Sequence, residues 1–355
     1  MSESSGGRHW GIELAYDGLA ALLEHLPHRH GTLAVLTYHR VGPADERSDL
    51  HPGLRVDPGT FADQMALVVR RTDPVSIDDI LAAADGGPPL PPRALHITFD
   101  DAYECIERHA WPVLHRLGLP ATMFVPTSYP DQPRTFWWDR LHQAVAAAPG
   151  PDLTVGDQTW SVAGPDERSA TFADIRALVV SLPHLDAMAL VDETVKQAGT
   201  QMTLPATSSW AGLKSMASQG LALGPHSRTH PFLNQIPEAD LDEEVAGSLT
   251  DLRAQVGDAA RPVLAYPGGG HNRAVVAAAR RAGIRLAFTT ERNVIDPTDA
   301  DWLRLPRINV GPRATTPTVR VQLQPAPHRV RALSRSLRAP WHQHHRPYLG
   351  RTTWN

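Results

Sequence analysis

Two consecutive carboxylates, Asp100 and Asp101, close the apolar run Ala94 to Phe99, and two histidines, His226 and His230, lie four positions apart in Gly-Pro-His-Ser-Arg-Thr-His-Pro. Charges this close at the C-terminal end of a strand repel unless a cation or a hydrogen-bonding partner separates their roles. Ligand sites in α/β folds collect at that end. Neighbouring side chains leave an extended backbone in different directions, so one carboxylate can hold a metal while the other faces a water on it. On one turn of helix the two imidazoles share a face and can bind a single ion. Two histidines and one carboxylate make a common ligand set for catalytic zinc or another divalent ion, with a position left for water. Each part also has a plainer reading, an Asp that caps the following helix or a pair of surface histidines. The combination favours metal-assisted hydrolysis over either.

Two further elements carry chemistry. Tyr266-Pro267-Gly268-Gly269-Gly270 follows the strand-like run Pro262 to Ala265, and glycines after a strand let backbone N–H groups approach a ligand closely, as an oxyanion hole requires; alone it is a plain turn. Tyr38-His39 ends the run Leu33 to Thr37, where an imidazole projects into the same mouth, although a lone histidine there is more often structural.

These residues need a scaffold that brings strand ends together. Apolar runs at Leu33 to Tyr38, Ala94 to Phe99, Ala121 to Val125, Leu221 to Leu223, Pro262 to Tyr266 and Arg285 to Thr289 alternate with helix-like stretches. The stretches are Pro58 to Arg71, Ala102 to Gly118, Trp210 to Gly220, Pro237 to Gly257 and Asn272 to Gly283. Such alternation predicts a parallel α/β architecture, either a barrel or a doubly wound sheet. Residues 130–205 break it with an aromatic start (Phe136, Trp137, Trp138), a hairpin at Gly156 and Asp157, and helical pattern, and are read as an insertion. The predicted organisation is an N-terminal extension (1–30), a barrel domain (31–129 and 206–315), the insertion (130–205) and a basic tail (316–355).

Composition narrows the partners. The net charge of -4 over 355 residues suggests no nucleic-acid binder. With one cysteine, Cys105, there is no internal disulfide and no cysteine-based zinc cluster, so His, Asp and Glu remain as ligands. The chain offers neither a secretion-like start nor an apolar run of the ~20 residues that span a bilayer, and the expected location is cytoplasmic by default. From Ala326 onward there are arginines and histidines and no acidic residue. A solvated extension is the plain reading of this tail, and docking on a membrane surface or a partner is the alternative.

In this order the pieces resemble the polysaccharide deacetylases of carbohydrate esterase family 4, the domain named for the nodulation-factor deacetylase, in a permuted form with an early Tyr-His motif. Thr98-Phe99-Asp100-Asp101 is similar to the first motif, in which the first Asp is the general base and the second binds the metal. His226-Ser227-Arg228-Thr229-His230 is similar to the second, which supplies the other two ligands. Tyr266-Pro267-Gly268-Gly269 is similar to the third, which lines one wall, making Tyr266 a substrate contact, and supplies a backbone N–H, here that of Gly268, to the oxyanion. Tyr38-His39-Arg40-Val41 fits the permuted arrangement, with His39 as the acid that protonates the departing amine. The resemblance implies a distorted (β/α) barrel of about seven parallel strands, a divalent ion, most simply zinc, and an N-acetylated glycan or sugar precursor as substrate. Trp138 is a further candidate contact, because aromatic faces pack against pyranose rings; core packing of the insertion is its plainer role.

The departures are informative. Ala265 occupies the position where many members carry an arginine that orients the catalytic Asp, leaving Arg307 or Arg261 as candidates for that task. Gly268 sits where a tyrosine is common, so the backbone N–H survives and the aromatic wall does not. The rival readings are an O-acetyl esterase or another amidase of the same fold, and a catalytically silent carbohydrate-binding or assembly module. Retention of Asp100 weighs against the last.

Overall fold

Apolar runs without a polar face become parallel strands covered on both sides. In the computed structural model, which describes residues 15–23, 31–199 and 206–324, seven strands carry the architecture. They are β1 (Thr32–Tyr38), β2 (Arg93–Phe99), β3 (Ala121–Val125), β4 (Ala222–Pro225), β5 (Val263–Ala265), β6 (Leu286–Phe288) and β7 (Ile308–Asn309). β7, β1, β2, β3 and β4 lie in that order in one parallel sheet, with the short strand Asp73–Pro74 beside the start of β2. β5 pairs with β6. Single parallel bridges, Leu223 to Ala260 and Phe288 to Leu305, join this pair to β4 and to the segment before β7. The strands therefore follow one another around a ring, while hydrogen-bonded ladders do not close it into a complete barrel. The expected α/β fold of parallel strands is present in this distorted form.

Alternation along each strand divides the core. Leu33 and Val35 of β1 join Phe124, Val263, Ala265, Leu286, Phe288 and Leu305 in one cluster. Leu36 and Tyr38 face the other way, onto Phe61, Met65 and Val68 of the helix Pro58–Arg71. On β5 the same period of two sends Leu264 and Tyr266 onto Val245 and Leu249 of the helix Leu241–Val256 and Val275 and Ala279 of the helix Arg273–Arg281. The helix Pro58–Arg71 starts where Asp57 accepts from the N–H groups of Gly59 and Thr60, and it carries Arg70 and Arg71 in its last turn. A capping box between Ser76 and Asp79 opens the helix Ile77–Ala84.

Two expectations are corrected here. The stretch Ala102 to Gly118 is not helical from its start: Asp101 and Ala102 have φ of 69° and 51°, and regular helix runs only over Trp111–Leu117, after a wide turn at Ile106–Ala110. The strand expected at Leu221 to Leu223 lies slightly later, at Ala222–Pro225. Residues 130–199 comprise the helix Trp137–Ala147, an antiparallel hairpin of Asp152–Val155 with Gln158–Ser161 turning at Gly156 and Asp157, and the helices Pro165–Ser181 and His184–Ala198. Among the described residues no helix is long and apolar enough to cross a membrane. Residues 1–14, 24–30, 200–205 and 325–355, including the basic stretch from Ala326, lie outside the described residues.

Candidate active site

The C-terminal ends of β1, β2 and β4 deliver His39, Asp100 with Asp101, and His226 to one pocket. Its lining also includes His230, Gly268, Trp137 and Trp138.

Asp101, His226 and His230 converge there, all buried, with ligand atoms within 4.8 Å of one another. His226 Nε2 and His230 Nε2 lie 3.5 Å and 3.2 Å from Asp101 Oδ1, and the two nitrogens are 3.2 Å apart. Bonds of ~2.0–2.1 Å at tetrahedral angles separate neighbouring ligand atoms by about 3.3–3.4 Å, so this triangle has the edge lengths of three corners of a zinc site. His226 Nδ1 donates to the Ala265 carbonyl at 2.7 Å, which leaves Nε2 as the ligating nitrogen. Asp101 Oδ1 is buried without a hydrogen-bond donor of its own. The residues fit a divalent ion.

The histidine pair reaches this geometry by a different route from the expected turn of helix. Residues 226–230 form an irregular loop after β4, with Ser227 and His230 at φ of 59° and 61°. Left-handed non-glycine residues cost on the order of 1–3 kcal/mol each where the surroundings impose them. Here Glu244 accepts from the N–H groups of Arg228 and Thr229, both at 2.9 Å, and Asp251 takes two bonds from the Arg228 guanidinium. Both acids project from the helix Leu241–Val256. Neither was legible as a site residue, because acids on an amphipathic helix look like a solvated face.

Asp100 is held by Arg307, whose Nη1 and Nη2 donate to Oδ1 and Oδ2 at 2.8 Å and 2.7 Å. Arg307 is wholly buried, its guanidinium lies over the rings of Phe124 and Phe288, and its Nε donates to the Thr289 carbonyl. Burial pushes the Asp100 carboxyl up, but the Arg307 charge, with His226 and His39, outweighs it and holds the group below its ordinary range. Burial likewise opposes ionisation of Asp101, and the neighbouring His226 and His230 overcome it and hold the carboxyl below its ordinary range. For His39 burial wins and lowers the imidazole pKa, against the pull of Asp101 and Asp100.

The two candidate arginines are thus separated. Arg261 is elsewhere, pairing with Asp78 through Nε and Nη2. Tyr266 is also corrected: the alternation of β5 turns it away from the pocket, fully buried, with its hydroxyl donating to the Leu303 carbonyl at 3.0 Å. Tyr266→Phe is expected to leave KM unchanged and to lower stability by about 1 kcal/mol, the net worth of one hydrogen bond, read from urea unfolding. Gly268 has φ of 57°, and a Cβ there would meet Phe232 Cε1 at 2.2 Å, so Phe232 occupies the space a side chain at 268 would need. Trp138 lines the pocket and meets His230 edge-on at 5.0 Å, yet one face is stacked on Phe136 at 4.5 Å and its Nε1 donates to Tyr103.

Tyr103 in turn donates to Asp139 at 2.7 Å, and the His51 N–H donates to the other Asp139 oxygen at 2.8 Å. Burial pushes the Asp139 carboxyl up to about 6, against these two donors and Arg40. A carboxyl raised in the folded state stabilises below its unfolded pKa of ~3.9, and that contribution is lost as pH rises through the folded value. Asp139→Asn is expected to flatten the fall in stability between pH 4 and pH 6, measured as the urea midpoint against pH.

The polysaccharide deacetylase family model matches residues 87–175 and 184–287, more than half of the chain. The chain belongs to the polysaccharide deacetylase family. It is 32% identical over 114 residues to poly-beta-1,6-N-acetyl-D-glucosamine N-deacetylase of Escherichia coli K12, a match that covers 32% of this chain and 16% of that protein. Among solved structures, Streptococcus pyogenes deacetylase PplD, in complex with acetate, superposes with a TM-score of 0.57 at 18% identity, covering 83% of this chain and 99% of that one. IcaB from Ammonifex degensii does so with a TM-score of 0.55 at 21% identity, over 83% and 97%. These two likenesses establish the shared fold.

Proposed function

We propose that the protein removes acetyl groups from an N-acetylated glycan by metal-assisted hydrolysis, with zinc as the ion. The observation that carries this reading is the convergence in one pocket of the buried Asp101, His226 and His230 triangle with a carboxylate gripped by its own buried arginine. A divalent ion held by those three residues supplies Lewis acidity and a water of lowered pKa. Asp100, kept ionised and fixed in orientation by Arg307, accepts the proton of the attacking water. The Gly268 N–H donates to the developing oxyanion, a contribution of ~3 kcal/mol where such donors are preorganised. His39 gives a proton to the departing amine. A silent binding module has no use for a buried arginine that orients a base, and the Asp100–Arg307 pair favours catalysis over that alternative.

The name of the Escherichia coli relative makes β-1,6-linked N-acetylglucosamine the first substrate to test. Acetate release is measured from β-1,6- and β-1,4-linked N-acetylglucosamine oligomers and from O-acetylated glycans, with metal-stripped protein, zinc-restored protein and Asp100→Asn side by side. Release from the N-acetylated set alone, restored by zinc and absent in Asp100→Asn, is the expected result. Release confined to O-acetylated glycans would make the enzyme an esterase, and bound metal without any release would overturn the catalytic reading.

A further inference from the structure

The helix Pro165–Ser181 turns one stripe toward the pocket: Phe172, Arg176 and Val180 recur every four residues and so share a face. Phe172 packs against His51 with the rings tilted by 35° and their centroids 4.5 Å apart, while Arg176 and Val180 line the pocket itself. Around them the lining is His51, Leu54, Trp137, Phe232 and Thr290, with no carboxylate other than Asp100 and Asp101. Asp100 is already engaged by Arg307, and Asp101 belongs to the candidate metal triangle. Among the described residues no acid or hydrogen-bond acceptor engages the Arg176 guanidinium, which is partly desolvated. The same wall keeps His51 neutral, its pKa pushed down to about 3 by burial and by the repulsion of His142, Arg176 and Arg40.

A guanidinium withdrawn from water with no partner is unfavourable, and it gains most from an anion with two oxygens in its plane. We propose that Arg176 is a specificity residue, the anion subsite of the pocket, taking a carboxylate or phosphate group carried by the glycan beside its acetylated sugar. This deepens the de-N-acetylase reading and rests on it for the identity of the sugar. Sequence reasoning passed over Arg176 because a single arginine between apolar positions of a helix reads as a solvated residue.

The test compares metal-loaded wild type, Arg176→Gln and Arg176→Lys on three probes: neutral N,N′-diacetylchitobiose, a disaccharide of glucuronic acid and N-acetylglucosamine, and N-acetylglucosamine 1-phosphate. Calorimetry gives the affinity for each, and acetate release gives kcat and KM. The expected result is that wild type binds one anionic probe at least about tenfold more tightly than the neutral one, and that Arg176→Gln abolishes the preference. Arg176→Lys retains part of it, since the charge survives and the two-pronged geometry does not. Which anionic probe is preferred separates carboxylate from phosphate. Equal affinity of wild type for all three probes, or a uniform loss in Arg176→Gln, overturns the subsite. If no probe releases acetate while the anionic preference holds in calorimetry, the de-N-acetylase reading fails and the subsite stands.

Discussion

Asp101→Asn is expected to lose both the bound ion and the activity while keeping the fold. The substitution preserves the shape of the side chain and one carbonyl oxygen, so it removes the negative charge that draws His226 and His230 to within 3.5 Å and 3.2 Å of Oδ1. Several kcal/mol of transition-state stabilisation leave with a catalytic ion, so acetate release falls by about 10³-fold or more. Elemental analysis should then find little zinc in the purified variant. Thermal unfolding gives an independent check, because an ion that binds only the folded state raises the Tm. A chelator should lower the Tm of the wild type and leave that of Asp101→Asn unchanged. Glu244→Gln is the graded comparison. It weakens the bonds that fix residues 228 and 229 without touching a ligand atom, and losses of about 10–100-fold are usual for such supports. Full zinc content and activity in Asp101→Asn would dismiss the triangle as a metal site.

Arg307→Gln should be the most destabilising single change in the pocket. It leaves the Asp100 carboxylate buried opposite an amide, and breaking a buried pair in this way costs about 3–5 kcal/mol. The pH dependence should also change. In the wild type the Asp100 pKa is held below its unfolded value, so the stabilisation is fully present above pH ~4 and is lost as pH falls through the folded value. Without the guanidinium, burial is opposed only by His226 and His39, so that pKa rises and the stabilisation is lost at a higher pH. Urea midpoints between pH 3 and pH 8 distinguish the two profiles. Activity moves with them, since the acid limb of the kcat/KM profile follows ionisation of the base and shifts upward in Arg307→Gln. Asp100→Asn combined with Arg307→Gln removes both charges and should recover much of the stability with no recovery of activity. A pair that served the fold alone would leave the pH–rate profile of Arg307→Gln where the wild type has it.

Several of the candidate site residues were readable from their neighbours. Asp100 and Asp101 follow an apolar run, and in β2 that run ends at Phe99 with both carboxylates at its C-terminal end. The spacing of His226 and His230 brought out their pairing but gave the wrong backbone, because a separation of four suits one helical turn as well as a loop folded back on itself. The loop is selected by Glu244 and Asp251 from a helix that begins 11 residues after His230. Local pattern carries no trace of that.

The sequence by itself determined the approximate places of the main strands, the identity of the candidate ligands and base, and the parallel α/β class, because strand burial and motif order are properties of short stretches. Only the tertiary structure chose Arg307 over Arg261. The two are 46 positions apart and alike in chemistry, and the pairing of Ile308 with Leu36 and of Leu36 with Ile97 is what starts Arg307 below Asp100, so that its side chain rises through the core to meet the carboxylate. The same holds for Tyr266, which the alternation of β5 carries out of the pocket, and for Arg176, which the packing of its helix carries in. Each outcome depends on which face of an element meets its neighbour, and that is set by contacts between residues far apart in the chain.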